Sequence, residues 1–402
     1  LCLLAAGAVM VYSASSARTL LQGQGDGSAY LVRYLAYGAV GLVLLRLLSH
    51  RGLTVLWRFT PLLLAVSLAA VLATRLPGIG IQVNGASRWL GAGPLQFQPS
   101  ELLKLALILY SARLLAAQPD RVRTLRGVCS PLLLVAGVAL LLVASQPDLG
   151  TALVIAFTIG ALLVAAGTPA RHLLIMGGIA VTLVALFALI EPYRRARLTS
   201  FLDPWSHAGS SGFQAVQAQI ALGSGGLFGL GPGESVQKVF YLPEAHTDFI
   251  LAVIGEELGV AGVSVLLALY GMIAYGGLRA AKAAKDRFGM LLAVGLTSLI
   301  LGQAMLNVFA VLGLAPLTGV PLPLVSYGTS SMLVTLAAVG LLLNIAAGGR
   351  VRAGVARRVD AAAAQPRRWG GGSAGTADVR HSRGGDRRAR GAGAGGRRRA
   401  AG

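Results

Sequence analysis

The sequence has few charged residues for its length. Of its 402 residues, 12% are charged and 55% are hydrophobic, whereas soluble globular domains average about 25% charged residues. Acidic residues are scarcer than basic ones, 15 against 35, so the formal net charge is +20. A chain with so little charge cannot cover a water-facing surface, but it can cover a lipid-facing one. A soluble globular fold is therefore excluded.

Cysteine is nearly absent from the sequence. The two cysteines, Cys2 and Cys129, both fall inside apolar runs. Two residues cannot build a disulfide framework or a cysteine-based zinc site. We interpret both thiols as small apolar side chains within membrane helices.

Long apolar runs recur along the chain. A helix rises about 1.5 Å per residue, so crossing about 30 Å of hydrocarbon takes roughly 20 mostly apolar residues. The runs are continuously apolar and do not alternate, which favours helices over a β-barrel. The first run is short and begins without Met, so we expect a clipped N-terminus. We predict an all-α polytopic membrane protein with about ten transmembrane helices, at residues 1–16, 29–48, 58–75, 99–116, 128–145, 149–167, 171–190, 248–276, 288–312 and 329–347.

Basic residues are divided unevenly between the predicted loops. If the C-terminal tail (348–402) is inside, 26 Lys and Arg lie in inside segments and 7 in outside loops. The positive-inside rule then places both termini in the cytoplasm, and the long loop 191–247, between helices 7 and 8, outside. The membrane domain is 1–347. The tail holds 14 Arg and 3 Asp among Gly and Ala, so we predict a disordered segment near anionic lipid, with no nucleic-acid partner.

Charged residues in or beside the predicted spans need a physical reason. Inserting one at the bilayer centre costs about 2.5–3.5 kcal/mol. Glu101 and Lys104 lie three residues apart, so on a helix they share a face and can pair. We expect either a structural ion pair near the membrane edge or a polar wall of a substrate cavity. The preceding Pro99 and Ser100 are typical of a helix start, with Ser100 or a residue before it as the cap.

Asp148 and Arg88 occupy predicted outside turns. Asp148 lies between two apolar runs with no room for a real loop, where it can cap the following helix. Arg88 precedes Trp89 in the loop 76–98. A Trp at the interface is typical of a membrane anchor, while an Arg beside it can bind a phosphate through its forked guanidinium. Both interpretations stay open.

The long outside loop differs from the other loops. Loops of this length are uncommon unless they are functional or disordered. The stretch 213–222 has apolar residues at helical spacing, which predicts a short interfacial helix, and the glycines at 223–233 predict a flexible bend. Asp248 ends the loop, close to His246. It is either an N-cap or a general base at the mouth of a membrane cavity.

Eight ordered motifs resemble the SEDS family, which comprises FtsW, RodA and SpoVE. They run through all ten predicted spans and leave out the tail. YLPEAHTDFI together with a basic tail favours the FtsW type. The motifs are NGASRW at 84–89, PSELLK at 99–104, QPDLGTAL at 146–153, DPW at 203–205, GFQ followed by ALGSGGLFGLG at 221–231, YLPEAHTDFI at 241–250, GEELG at 255–259 and GVPLPLVSYGTSS at 319–331.

This resemblance implies a peptidoglycan glycosyltransferase that polymerises lipid II at the outer face of the bacterial cytoplasmic membrane, for septal synthesis in division. It places the family's catalytic Asp at Asp248, which would take the proton from the acceptor sugar's 4-hydroxyl. It also implies a class B penicillin-binding protein as partner, alongside other divisome proteins and membrane lipids.

The leaving group of this reaction is a lipid pyrophosphate, which needs charge neutralisation more than protonation. We expect Arg88, Lys104 and Lys238 to supply that charge, or a divalent cation such as Mg or Mn. Glu101 and Asp148 would orient these groups. Trp89 and His246 complete the candidate substrate-binding residues. The sequence implies no certain cofactor.

Three alternatives stay open. A transporter that flips lipid II would also place polar residues inside spans, although the sequence has no obvious inverted repeat. A non-catalytic scaffold of a division or elongation complex is another class. Within the family, a RodA-type elongation polymerase is the alternative to septal synthesis.

Overall fold

The computed structural model describes residues 1–21, 27–83, 86–92, 95–190, 195, 199–239 and 242–349. The predicted disordered tail lies outside the described residues from position 350 onward, so its prediction stays untested.

The described residues are mostly helical, and each of the ten predicted apolar runs coincides with a helix. A 3-10 turn at Pro119–Arg123 precedes the fifth helix, and a π-helical turn at Cys129–Leu133 joins the fifth to the sixth. The helices are α1 (Cys2–Leu21), α2 (Ala29–His50), α3 (Leu53–Ala73), α4 (Pro99–Ala117), α5 (Leu125–Val128), α6 (Leu134–Ala144), α7 (Leu149–Ala166), α8 (Ala170–Ile190), α9 (Phe213–Ser224), α10 (Ile250–Ala283), α11 (Arg287–Val311) and α12 (Thr329–Ala346).

Seven helices in the described part of the chain are long and apolar enough to cross a membrane, with α5 and α6 counted as one, so the protein is a multi-pass membrane protein. Within α1 and α8, the apolar stretches Cys2–Ser16 and Ala170–Leu186 are shorter than this length. α4 lies outside the seven and carries three charged residues, Glu101, Lys104 and Arg113. The predicted number of ten spans therefore stays a prediction.

Three helices extend five or more residues beyond the predicted runs. α1 continues to Leu21, α3 begins at Leu53, and α10 continues to Ala283. In α10 the additional turns include the basic residues Arg279 and Lys282. Apolarity marks the stretch that fits hydrocarbon, whereas the helix continues for as long as its backbone hydrogen bonds do.

A small antiparallel sheet lies in the predicted outside loop 76–98, where no strand was predicted. Its strands follow in the order β1, β2, β3, with Ile81 opposite Trp89 and Gly91 opposite Gln96. The longest strand, ASRWLGA, does not alternate apolar and polar residues, and β3 has only three residues, so no strand pattern stands out in the sequence. The strands are β1 (Gly80–Val83), β2 (Ala86–Ala92) and β3 (Leu95–Phe97).

The centre of the bundle is formed by α4, α7 and α11, which pack against one another, while α12 packs along α2. Most side chains of α4 and α11 are buried. By contrast, α2 and α8 leave rows of large apolar side chains exposed, such as Val43 and Val181. In a multi-pass membrane protein these exposed apolar faces are expected to contact lipid.

The glycine-rich segment 223–233 is held against α10, so its prediction as a flexible bend is wrong. Four backbone hydrogen bonds join this segment to α10, among them Leu230 N–H to Glu256 O at 2.9 Å. Inside α10, Gly259 has a left-handed φ of 65°. A side chain at Gly229 would collide with the α10 backbone, because its Cβ would lie 2.1 Å from the Glu257 carbonyl oxygen. The glycines thus permit close backbone contact.

Candidate active site

Asp248 lies two residues before the first residue of α10 and lines a small cavity. The N-cap position of α10 is held by Phe249, so the N-cap alternative for Asp248 is not the one observed. The Asp248 side chain is half-buried. The cavity is also lined by residues of α9, α11 and the segment that follows α11, among them Gln214, Asn307, Thr318 and Gly319.

Asn307, in α11, fixes the backbone around Asp248. Its Nδ2 donates to the carbonyl oxygen of Asp248 and to that of Val320, both at 2.8 Å. Asn307 is 2% exposed. One buried amide therefore ties the residue before α10 to the loop before α12, and both segments line the cavity.

Gly319 lies beside the Asp248 carboxylate in that loop. Its φ is +69°, which L residues rarely adopt, so the backbone conformation favours glycine at this position. A Cβ there would lie 3.4 Å from Asp248 Oδ2, at van der Waals contact.

A second cavity continues from the first, because Gln214, Ala310 and Leu317 line both. Its other walls come from residues 200–219, including Phe201 and Gln219, and from the segment after α11. Among the elements that line this second cavity, the sequence predicted only a short helix at 213–222. That helix is confirmed as α9.

Gln98 connects the starts of three helices. Its backbone N–H donates to Ser330 Oγ at 2.8 Å in the first turn of α12, and its Nε2 donates to Asp148 Oδ2 at 3.2 Å. Asp148 accepts from the Thr151 backbone N–H at 3.1 Å, which confirms it as the cap of α7. Gln98 itself holds the N-cap position of α4, with no side-chain cap bond, so the cap is a residue before Ser100, which was one of the two predicted alternatives.

The start of α7 also packs against the loop that lines the Asp248 cavity. A Cβ at Gly150 would lie 2.7 Å from the Thr318 carbonyl oxygen. The N-terminal ends of α4, α7 and α12 are thus connected to this cavity through Gln98 and Thr318. Helix N-termini carry partial positive charge, so their convergence favours an anionic group nearby.

Glu101 and Lys104 form the predicted ion pair, with 2.7 Å between Nζ and Oε1, and both side chains are at most 4% exposed. Lys104 lies in a narrow crevice between α4, α7 and α11, whose other walls are almost entirely apolar. The pair is therefore inside the helix bundle, and neither residue lines the Asp248 cavity.

Arg88 and Trp89 lie on β2. Arg88 Nε donates to the Gln146 carbonyl oxygen at 2.8 Å, and Nη2 donates to the Pro147 carbonyl oxygen. The guanidinium thus fastens the sheet to the turn before Asp148. Trp89 is half-exposed on the sheet, and neither side chain lines the Asp248 cavity.

Lys238 is buried in an ion pair that the sequence did not predict. Its Nζ lies 2.7 Å from Glu257 Oε1 and also donates to Ser13 Oγ and the Gly233 carbonyl oxygen. Ser13 Oγ donates to the same Glu257 oxygen at 2.6 Å. Neighbouring Glu256 accepts from Ser235 Oγ and from the Val236 backbone N–H.

The two glutamates of this cluster belong to the motif GEELG, which was the one available signal for it. Their distance from the start of α10 places the cluster away from Asp248. Ile250 and Glu257 are seven residues apart, or about 10 Å along a helix.

His246 lies in an aromatic cluster. Its ring centroid is 4.5 Å from that of Tyr30 and 5.6 Å from that of Tyr327, and its carbonyl oxygen accepts from the Tyr327 N–H at 2.9 Å. Burial raises the pKa of the Tyr327 phenol above its usual value. His246 thus packs the segment before Asp248 against α2 and the loop before α12.

No group of three or more His, Cys, Asp or Glu side chains that could hold a metal ion occurs among the described residues. The predicted divalent cation is therefore assigned no site here.

Comparison with known proteins extends over the whole membrane domain. The sequence model of the FtsW/RodA/SpoVE family, described as "Cell cycle protein", matches residues 1–350. A "Probable peptidoglycan glycosyltransferase FtsW" of Geobacter sp. (strain M18) is 40% identical over 339 residues, which cover 84% of this chain and 92% of that protein. The "Stage V sporulation protein E" of Bacillus subtilis (strain 168) is 38% identical over 345 residues, with coverage of 86% and 94%.

Solved structures give the same likeness. A chain of the structure "Structural coordination of polymerization and crosslinking by a peptidoglycan synthase complex" superposes with a TM-score of 0.69 at 32% identity, covering 85% of this chain and 97% of that one. The crystal structure of the rod shape determining protein RodA of Thermus thermophilus gives a TM-score of 0.63 at 31% identity, with coverage of 87% and 95%.

Proposed function

Because the chain belongs to the FtsW/RodA/SpoVE family of cell cycle proteins, we propose that it is a peptidoglycan glycosyltransferase that polymerises lipid II. The observation that carries this proposal is the position of Asp248. The carboxylate lines a cavity next to converging helix N-termini, so a base and a region that favours anions adjoin.

In the proposed reaction, Asp248 takes the proton from the 4-hydroxyl of the acceptor sugar. The hydroxyl oxygen then forms a bond to C1 of the donor sugar, and the bond between C1 and the phosphate oxygen breaks. The lipid pyrophosphate departs with the bonding electron pair. Its charge is already delocalised, so one base is sufficient and no protein acid is required at the leaving oxygen.

The basic residues have different positions relative to this leaving group. Lys104 and Lys238 are each neutralised by a buried glutamate, so we assign them to positioning the elements around the site. Arg88 lies beside the turn that leads to Asp148, and two of the five donors of its guanidinium are used there. We therefore propose Arg88, with the helix N-termini, as the group that steadies the pyrophosphate.

The proposed location follows from charge and family. We propose that the Asp248 cavity opens to the outer face of the cytoplasmic membrane, with both termini in the cytoplasm. The name FtsW carried by relatives favours septal synthesis in division over elongation. The similarity to a chain of a complex that coordinates polymerization with crosslinking supports a class B penicillin-binding protein as the partner.

The test is polymerisation of purified lipid II by the full chain in detergent. We expect Asp248→Asn to lower the rate by about 10²–10⁴-fold, since this is the usual contribution of a general base. Asp120→Asn is the control and should leave the rate unchanged, because Asp120 is 85% exposed and lies in the turn between α4 and α5, outside both cavities. Full polymerase activity of Asp248→Asn would overturn the assignment. Movement of labelled lipid II across vesicles without polymerisation would favour a flippase instead.

A further inference from the structure

Two polar atoms beside Asp248 are buried and lack a hydrogen-bond partner among the described residues. They are Asn307 Oδ1 and Thr318 Oγ1, and both residues line the Asp248 cavity. Most buried polar side-chain atoms in proteins have a partner, and leaving one unpaired costs free energy. Two such atoms on residues that line one cavity therefore need an explanation.

The orientation of the Asn307 amide is fixed by its surroundings. Its Nδ2 faces two carbonyl oxygens, those of Asp248 and Val320. A flipped amide would place its oxygen against both carbonyl oxygens and lose both hydrogen bonds, so the observed orientation is the favourable one. Oδ1 is consequently held as an acceptor that cannot turn to find another partner.

Asn344 shows what the same arrangement looks like when its role is structural. Its Nδ2 also donates to two carbonyl oxygens, those of Leu48 and Arg51. Its Oδ1, however, does not belong to the buried unpartnered atoms of the described residues. Fastening two carbonyls therefore does not by itself require an unpaired oxygen.

We propose that Asn307 Oδ1 and Thr318 Oγ1 form a hydroxyl-binding subsite that positions the acceptor sugar at Asp248. An amide oxygen needs a donor, and a hydroxyl group both donates and accepts, so neighbouring hydroxyls of a sugar ring match the pair. Asn307 accepts from one sugar hydroxyl, and Thr318 bonds to a second. The inference rests on the proposed function, because it names how the same substrate is held.

Thr318→Val gives the cleanest test. Valine keeps the shape of threonine and removes the hydroxyl, which makes no hydrogen bond to any described residue. A purely structural role predicts unchanged or higher thermal stability and unchanged substrate binding. The subsite predicts unchanged or higher stability together with about 3- to 10-fold weaker binding of lipid II, the usual effect of one neutral hydrogen bond.

Thr297→Val is the matched control for this variant. Thr297 is a buried threonine of α11 whose Oγ1 bonds the Ala293 carbonyl oxygen at 2.7 Å. We expect it to leave lipid II binding unchanged. Equal binding by Thr318→Val and the wild type would overturn the proposal.

Asn307→Ala and Asn344→Ala form the second matched pair. Each removes one buried amide that fastens two carbonyls, so both are expected to lower thermal stability. Only Asn307→Ala is expected to raise KM and to weaken lipid II binding, by at least the factor seen for Thr318→Val. Equal losses of lipid II binding in the two variants would mean that Asn307 has only a structural role. That result would overturn the proposed contact between Asn307 and the sugar.

Binding of fluorescently labelled lipid II is measured separately from turnover, in the wild type and in each variant. If the wild type binds lipid II without polymerising it, the proposed function fails, while the binding ratios still decide the subsite. If the wild type polymerises lipid II and Thr318→Val binds lipid II as tightly as the wild type does, the subsite fails and the proposed function stands.

Discussion

The described residues include two buried Lys–Glu pairs with the same Nζ to Oε1 distance of 2.7 Å. Glu101 and Lys104 are three residues apart within α4, and their pairing follows from helix geometry alone. Lys238 and Glu257 are 19 residues apart. Both also bond to Ser13, which is 225 residues from Lys238. The first pair stabilises one helix, whereas the second fastens α1 and the segment before residue 239 to α10. The same ion-pair distance therefore stabilises a single helix in one place and a contact between distant segments in the other.

The largest effect is expected when one partner of the tertiary pair is removed. Lys238→Met leaves the Glu257 carboxylate buried without its cation, which should cost about 3–5 kcal/mol of stability. Hydrogen exchange should show lost protection in α1 and in residues 227–238. Lys104→Met should cost a similar amount, with lost protection confined to the first turns of α4. Identical exchange patterns would remove the distinction between the pairs.

The next largest loss of stability is expected when the segment before Lys238 cannot pack closely against α10. Gly229→Ala should cost about 1–3 kcal/mol, because its Cβ would meet the α10 backbone and the segment would have to move. Thermal unfolding in detergent measures the loss. Gly223→Ala is the control, since Gly223 lies in α9 with open space around its Cβ position. Equal melting temperatures for the two variants would contradict close docking of this segment.

A smaller effect is expected when both partners of the local pair are removed. Glu101→Leu combined with Lys104→Met leaves no unpaired charge, so the double variant should be more stable than either single variant. The melting temperatures of the three proteins test this. A double variant less stable than both single variants would mean that the pair does more inside the bundle than neutralise itself.

The smallest effect is expected at an exposed pair with the same spacing as the local pair. Arg123 Nε lies 3.6 Å from Asp120 Oδ1, and these side chains are 79% and 85% exposed. Surface pairs of this kind contribute little to stability. Arg123→Ala should therefore leave the melting temperature unchanged within measurement, and a clear decrease would show that spacing matters more than burial.

Sequence patterns predicted the helices well and the site only in part. Every apolar run forms a helix, because a segment in lipid must satisfy its backbone hydrogen bonds internally. The Asp148 cap and the Glu101–Lys104 pair were predictable because they involve neighbours along the chain. The sheet at residues 80–97 was missed because its strands are stabilised by one another and by Arg88.

Asp248 illustrates the remaining limit. Family motifs singled out its position, but nothing near it in the sequence indicates Asn307, Thr318 or Gly319, which lie 59 to 71 residues further on. The candidate site is assembled from α9, the residues just before α10, α11 and the loop before α12.

The sequence by itself determined that this protein is a bundle of membrane helices, because hydropathy and helix periodicity are local properties. It also determined the Glu101–Lys104 ion pair and the Asp148 cap, which each involve neighbours along one helix. Tertiary structure alone decided which distant residues line the Asp248 cavity, which glutamate neutralises Lys238, and that the glycine-rich segment docks on α10. Such contacts depend on how whole helices pack, and packing follows from the shapes of surfaces that no short stretch of sequence encodes.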